Sequence, residues 1–403
     1  MGGFRGVCVV PEEGVGMAMK RRGFLLTGLG VAAAAGAATR LRVGVMGDTG
    51  HGNYGHGVDT VWGAVEQADV VAVADPDAEG REKARVRLGA ERGYADYRRM
   101  LEREELDVVS VCPRWMDQRV EMVTAAAVAG CHIYSEKPFA ATLADADRMV
   151  EAVRRSGVKL QLAHQMRRSP YTLAVKRLIE AGAIGDVQEV RTRGKEDRRA
   201  GGEDLMVLGS HVCDVMRMLL GDPEWVFAHV TEDGEELARE DVREGSEPIG
   251  PIGGREIAAM FSFGGGVHGY FGSKRSEGTA PWRFGTTVYG SKGVIFLPNA
   301  IYPGGEGTQI LRSAGWVPDG AARWEPVAVE HDRRFDDTPM MTANLRMVED
   351  LLAAIAEDRE PVCSERAGLW TTEMITGIYR SQVEGGVVRF PQGARGAHPL
   401  SAL

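Results

Sequence analysis

Residues 41–75 read LRVGVMGDTGHGNYGHGVDTVWGAVEQADVVAVAD, and the order of residue types here decides the fold of the first half of the chain. Residues 41–46 form a short apolar run, which predicts a strand. The run GDTGHGNYGHG at 47–57 interrupts it with turn chemistry. Val58, Val61, Trp62 and Val65 then recur at helical spacing and predict a helix through residue 67. A second strand over 70–74 ends in Asp75-Pro76. Strand, glycine turn, helix, strand and acid together suit a dinucleotide. Glycines let backbone N–H groups approach a pyrophosphate at a helix N-terminus, and the acid accepts hydrogen bonds from the adenosine ribose. Asp75 therefore favours NAD over NADP. The loop register stays open: a literal G-x-G-x-x-G falls on Gly50, Gly52 and Gly55, whereas the strand end before Gly47 favours Gly47 and Gly50 for the tight turn. Glycines in turns are also often only turns.

Past Asp75 the alternation continues, with helices over 77–88 and 96–103, a strand over 108–111, a helix over 116–129 and a strand over 132–134. A helix over 143–156 opens with Thr142 and Asp145 in capping-box relation and stops at Gly157, ahead of a strand over 158–162. A parallel sheet is implied, and a first domain over 41–163. Such sheets bind ligands at the carboxyl ends of their strands, where two segments lie. In Cys112-Pro113-Arg114-Trp115, Arg114 either touches the cofactor or sits on the surface. In Ser135-Glu136-Lys137-Pro138, the Lys137 charge would stabilise a developing alkoxide, although a loop lysine is ordinarily just solvated.

The 403 residues suit two domains, and 44% hydrophobic and 26% charged residues with 53 glycines exclude fibrous and disordered classes. Forty-eight basic against fifty-seven acidic residues give a net charge of −9, so neither nucleic acid nor an anionic membrane surface is expected as a partner. Five cysteines, Cys8, Cys112, Cys131, Cys213 and Cys363, are an odd number without C-x-x-C spacing; buried free thiols are expected, with no zinc site and no disulfide framework. Residues 1–40 read as a leader. Lys20, Arg21 and Arg22 precede GFLLTGLGVAAAAGAA, which resembles a twin-arginine export signal and places the mature protein in the periplasm. An uncleaved anchor is the alternative, although the run is shorter than the ~20 residues of a spanning helix. A signal left unused would keep the protein cytoplasmic. Met17 and Met19 leave the true start open.

Residues 164–403 predict an α+β domain, with strands over 186–194, 225–231, 255–263, 267–273 and 284–297 and helices over 170–181, 205–220, 341–357 and 366–383. Specific signals now accumulate: the glycine turn from Gly47, Ala74-Asp75-Pro76, Glu136-Lys137-Pro138, Arg167 in AHQMRRSP, and Gly209-x-His211-x-x-Asp214 in VLGSHVCDVMRMLLGD. YGSKGVIFL at 289–297 and WTTEMITGIYRSQVEGGVVRFP near the end join them. Together these resemble the Gfo/Idh/MocA family of dehydrogenases over nearly all of the chain after residue 40.

The resemblance implies a Rossmann NAD(P)-binding domain and an α+β domain with an open, mainly antiparallel sheet, whose free face makes a dimer or tetramer contact. It gives Lys137 the alkoxide, with Pro138 in a cis bond, and gives His211 the hydroxyl proton. Asp214, three residues on, would orient His211 or bind a sugar hydroxyl. Gly47, Thr49, Gly50, Gly52, Asp75, Cys112, Pro113, Arg114, Glu136, Lys137 and Pro138 would hold the cofactor, and Arg167 and His211 the substrate. Three positions depart from the family pattern: Val207 where many relatives carry an aspartate, Arg114 for an asparagine and Asp117 for a histidine. The charged run before His211 contains Lys195, Glu196, Asp197, Arg198, Arg199, Glu203 and Asp204. It reads either as a solvated face or as a polar wall of a polyol pocket, with Lys195 and Arg198 as the leading substrate contacts. Trp282 and Arg283 would stack on a sugar ring or serve packing.

The expected function is an NAD(P)-dependent oxidoreductase, NADP being less favoured, that takes hydride from a sugar, sugar derivative or cyclitol. Export implies a tightly held and internally recycled cofactor. The alternatives are an NAD-dependent glycosidase that oxidises the sugar transiently and a non-catalytic NAD-binding sensor.

Overall fold

The computed structural model describes residues 40–275, 283–298, 307–329 and 339–403. The leader, Cys8 and Trp282 lie outside the described residues.

Six parallel strands form the first sheet: β1 (Leu41–Met46), β2 (Ala68–Ala74), β3 (Arg92–Tyr94), β4 (Val108–Val111), β5 (His132–Ser135) and β6 (Leu160–Leu162), in the order β3-β2-β1-β4-β5-β6. Val, Ile and Ala side chains fill both faces, as expected of a sheet covered on two sides. Four helices connect them: α1 (Ala78–Leu88), α2 (Tyr97–Arg103), α3 (Arg119–Val128) and α4 (Leu143–Ser156). Thr142 caps α4, its Oγ1 accepting from the Asp145 amide at 3.1 Å, and the helix stops at Gly157 with φ 66°. The strand order reverses between β1 and β4, so the crevice above them is the switch point where such sheets take ligands.

The helix expected over residues 58–67 is a single 3-10 turn, Thr60–Ala64. Gly50, Gly52, Asn53, Gly55 and Gly57 all hold left-handed φ values, which no helix accepts. Little chain remains before β2 begins at Ala68. Val58, Val61, Trp62 and Val65 are buried as their spacing suggests, but on a turn.

The second sheet has ten strands among the described residues. They are β7 (Val187–Arg193), β8 (Trp225–Glu232), β9 (Glu235–Glu236), β12 (Glu256–Ser262), β13 (His268–Lys274), β14 (Gly285–Gly290), β15 (Gly293–Pro298), β16 (Gln309–Leu311), β17 (Trp324–Pro326) and β18 (Val388–Arg389). A separate ribbon pairs β10 (Arg243–Glu244) with β11 (Pro251–Ile252). Only β7 and β13 run parallel, so the expected mainly antiparallel sheet is present. Its helices are α5 (Pro170–Glu180), α6 (Gly202–Asp204), α7 (Ser210–Leu220), α8 (Pro339–Ala356) and α9 (Glu365–Glu384).

Val226, Ala228 and Val230 of β8 are buried, while Trp225, Phe227 and His229 on the alternate face are partly or fully exposed. Not all of the second half serves the second core. Leu345, Met347, Val348 and Leu351 of α8, with Cys363 and Ala367, pack into the core of the parallel sheet.

Candidate active site

Strand β5 delivers the first candidate group. Its last residue is followed by Glu136 and Lys137, and the Lys137-Pro138 peptide is cis, as the resemblance implies. Lys137 is buried, and its Nζ donates to the Val207 carbonyl at 3.2 Å. That carbonyl belongs to a π-turn, Leu205–Gly209, between α6 and α7; turns of this kind often mark functional sites. Burial lowers the Lys137 pKa, opposed by the Glu136 and Glu247 charges and reinforced by Arg199.

Glu136 is also buried, which alone would raise its pKa. The His56 ring beside it and the Lys137 charge and amide outweigh burial and hold it at about 2. Its carboxylate accepts from the Lys137 amide at 2.8 Å and the His56 amide at 2.9 Å, and pairs with His56 Nδ1. Arg119, 1% exposed, donates to the carbonyls of Glu136, Pro138 at 2.8 Å and Pro113 at 2.5 Å, tying both crest loops together. Burial lowers its pKa to about 10.

Helix α7 delivers the second group in its first turn. His211 is 2% exposed, and burial next to Lys137 holds its pKa well below 6.5, so the imidazole is neutral. Among the described residues its Nδ1 has no hydrogen-bond partner. Asp214 does not orient it. Arg167 pairs with that carboxylate, through Nε to Oδ2 at 2.8 Å and Nη2 to Oδ1 at 2.6 Å. A fork-shaped guanidinium satisfies a buried carboxylate better than any neighbouring side chain here. His164 and Cys363 complete this cluster, their ligand atoms and that of Asp214 lying within 4.8 Å of one another, and Arg167 supplies the charge a cation would bring.

At the other end of the crevice an open cleft of ≈550 Å³ runs between the glycine loop and α1, lined by Thr49, Asn53, Tyr54, Gly57, Lys83 and Arg87 among others. A side chain at Gly50 would meet nothing within 4 Å. The loop, the cleft and the buried lysine fit a dinucleotide laid across the switch point. Asp75, however, is 1% exposed and saturated within the chain. Its oxygens accept from Thr49 Oγ1 at 2.7 Å, Tyr54 Oη at 2.7 Å, Asp77 N at 2.9 Å and Thr49 N at 3.1 Å. The acid and Thr49 thus lock the loop, and a ribose hydroxyl reaching Asp75 must displace Tyr54. Tyr54 also covers Gly47, whose Cβ would fall 2.2 Å from the tyrosine ring. Gly52 likewise serves packing: its Cβ would meet the Arg114 and Trp115 amides at 2.8 Å, and the Arg114 amide donates to its carbonyl at 3.0 Å.

Cys112 and Pro113 lie at the crest of β4, with Cys112 fully buried and its thiol pKa raised by that burial. Arg114 faces Glu247 at 3.5 Å, and Asp117 faces His51 at 2.7 Å. Two members of the charged run form part of the interior. Asp204 and Glu196 are fully buried, Asp204 accepting from Ser273 Oγ at 2.6 Å and Glu196 from Arg283 at 3.1 Å. Lys195 pairs with Asp197 at 3.5 Å, Arg198 is exposed, and Arg199 donates to Asp197 at 2.9 Å. Sequence reasoning missed His56, Arg119 and His164; two of these stand within quoted motifs, GHG and AHQMRR, and Arg119 carries no motif at all.

A parallel nucleotide-binding sheet and a mixed sheet that meet over a buried lysine and a neutral histidine define a class, the two-domain dinucleotide-binding proteins. Residues 41–164 match the family model described as an oxidoreductase family with an NAD-binding Rossmann fold, and residues 172–296 match the GFO/IDH/MocA C-terminal domain. The chain belongs to the Gfo/Idh/MocA family.

The chain is similar to D-apiose dehydrogenase of Paraburkholderia graminis, 36% identical over 45% of this chain and 51% of that one. It is 28% identical to myo-inositol 2-dehydrogenase of Thermotoga maritima over 58% and 69% of the two chains. With levoglucosan dehydrogenase of Pseudarthrobacter phenanthrenivorans it shares 28% identity over 56% and 63%. The match thus spans between 51% and 69% of these relatives' lengths. The structure of levoglucosan dehydrogenase with NADH and levoglucosan shares the fold, with TM-score 0.68 and 21% identity over 88% of this chain and all (100%) of that one. An oxidoreductase from Agrobacterium radiobacter with NAD+, L-tartaric acid and magnesium shares it too, with TM-score 0.68 and 19% identity over 87% and 98%.

Proposed function

We propose that this protein is an NAD-dependent oxidoreductase that takes hydride from a hydroxyl-bearing carbon of a sugar, sugar derivative or cyclitol. The observation that carries the reading is the pairing of a buried neutral base, His211, with a buried lysine, Lys137, at the crest of an NAD-type sheet. Bound NAD supplies the hydride acceptor. His211 receives the hydroxyl proton as the carbon gives up hydride, and the Lys137 ammonium holds the oxygen where negative charge develops. Burial of both groups excludes water, which strengthens each interaction. Relatives named for D-apiose, myo-inositol and levoglucosan support the substrate class.

The basic and apolar leader supports export, and export supports a cofactor that is loaded before transit and recycled in place. The partly exposed face of the second sheet, with Phe227 45% exposed, supports a homo-oligomer.

Two measurements test the proposal. Denaturing the purified full-length protein and weighing the released nucleotide should yield NAD(H). Adding myo-inositol, levoglucosan or D-apiose with NAD+ should produce absorbance at the NADH wavelength, lost by ~10²-fold or more in Lys137→Met and His211→Asn. Absence of nucleotide together with no turnover of any polyol sinks the reading.

A further inference from the structure

Among the described residues, two buried imidazoles that stand beside each other, His211 and His164, each keep one ring nitrogen without a partner. The segment after β6 is pinned beside the lysine turn, since the Ala163 amide donates to the Ser135 carbonyl at 2.8 Å. His164, the next residue, is 0% exposed and sets its ring edge-on to that of His211, with centroids 5.4 Å apart. Its Nδ1 side faces Cys363 Sγ at 3.6 Å and Asp214 Oδ1 at 3.9 Å. A neighbouring carboxylate favours the proton on that nitrogen, leaving Nε2 with a lone pair. Among the described residues Nε2 has no partner, and neither has His211 Nδ1. Buried polar atoms in native structures are nearly always satisfied, so two orphaned imidazole nitrogens on neighbouring rings point to a polar ligand. The Arg167–Asp214 pair lies on the Nδ1 side of His164, the edge away from Nε2.

We propose that His164 is a second substrate-binding residue, accepting at Nε2 a hydroxyl adjacent to the one His211 deprotonates, so that the site takes compounds with hydroxyls on neighbouring carbons. The proposal rests on the polyol dehydrogenase reading. It explains why two neutral imidazoles stand side by side when proton removal needs one.

The test uses the full chain labelled with 15N at histidine, in complex with NADH and titrated with myo-inositol, levoglucosan or D-apiose. Binding of a polyol should move the Nε2 resonance of His164, assigned by its loss in His164→Gln, together with that of His211. In steady-state kinetics on whichever polyol is turned over, His164→Phe should raise KM about tenfold with kcat nearly unchanged, and His164→Gln, whose amide oxygen still accepts, should recover most of the loss. The analogue lacking the neighbouring hydroxyl should be handled equally by wild type and His164→Phe. A polyol that moves His211 but leaves His164 unmoved overturns the proposal while the functional reading stands. A set of polyols that moves neither resonance overturns both. Should His164→Phe fail to fold, the wild-type titration and His164→Gln decide alone.

Discussion

Arg167 donates two side-chain hydrogen bonds to the fully buried Asp214. Removing the cation strands a buried carboxylate, so Arg167→Ala should destabilise the fold by about 3–5 kcal/mol. A urea midpoint well below wild type would show this. A change confined to KM would restore Arg167 to the substrate. His211 carries a second prediction at this scale. Its pKa lies well below 6.5 in the folded protein, and only its neutral form accepts a proton. Activity is therefore full above that pKa and lost as pH falls through it, so the acid limb of kcat/KM should lie well under pH 6.5. An acid limb at 6.5 would indicate an ordinary, solvated histidine.

Residue identity was legible where a motif carries chemistry, as for Lys137 and His211. At Asp75 the pattern locates the acid without revealing that Thr49 and Tyr54 bond to it. Arg119 was invisible for the opposite reason, since its role comes from carbonyls of two loops that meet only after folding.

Among elements, the glycine loop separates two kinds of glycine. Gly50 and Gly55 both hold positive φ, 82° and 70°. Space around Gly50 is open, whereas a Cβ at Gly55 would lie 2.6 Å from the Cys112 carbonyl and 2.9 Å from Glu136 Oε1. Gly50→Ala should therefore cost about 1–2 kcal/mol from backbone strain alone. Gly55→Ala should cost more and should also weaken NAD binding by prising His56 from Glu136, which thermal melts and a fluorescence titration with NADH would measure. Equal effects of the two substitutions would contradict the tight seat of Gly55. Elements themselves were mostly legible: α4 fills the expected 143–156, and the run expected over 284–297 resolves into the hairpin of β14 and β15 turning at Ser291 and Lys292. Short strands such as β3 (Arg92–Tyr94) and β16 (Gln309–Leu311) carried no such signal, and the turn Thr60–Ala64 shows that periodic burial does not distinguish a helix from a short turn when left-handed residues precede it.

Across the whole molecule, buried histidines set the response to acid. Burial holds His132, His164 and His398 at about 4, and His211 lower than its ordinary value. Each binds its proton more readily in the unfolded chain, near 6.5. Their contribution to stability is complete above pH 6.5 and is lost as pH falls toward 4. Denaturation midpoints measured at steps from pH 7.5 to 4 should fall steadily below 6.5, and Glu136, held at about 2, adds to the loss only as pH passes below its ordinary value of 4.5. A flat profile over that window would mean that these rings take up protons in the folded state at ordinary values.

Helix α8 and the start of α9 close the core of the parallel sheet. Asn344 joins Tyr134 to the glycine loop through 2.7 Å and 2.8 Å hydrogen bonds, and the Cys363 amide donates to Gln161 at 2.9 Å. A ribosome delivers β1 to β6 long before these residues exist, so the nascent first half must wait with an unfinished face while the entire second sheet is synthesised. Stalled chains ending before α8 should remain open to protease across β5 and β6, and both halves should become resistant together once residue 367 has emerged.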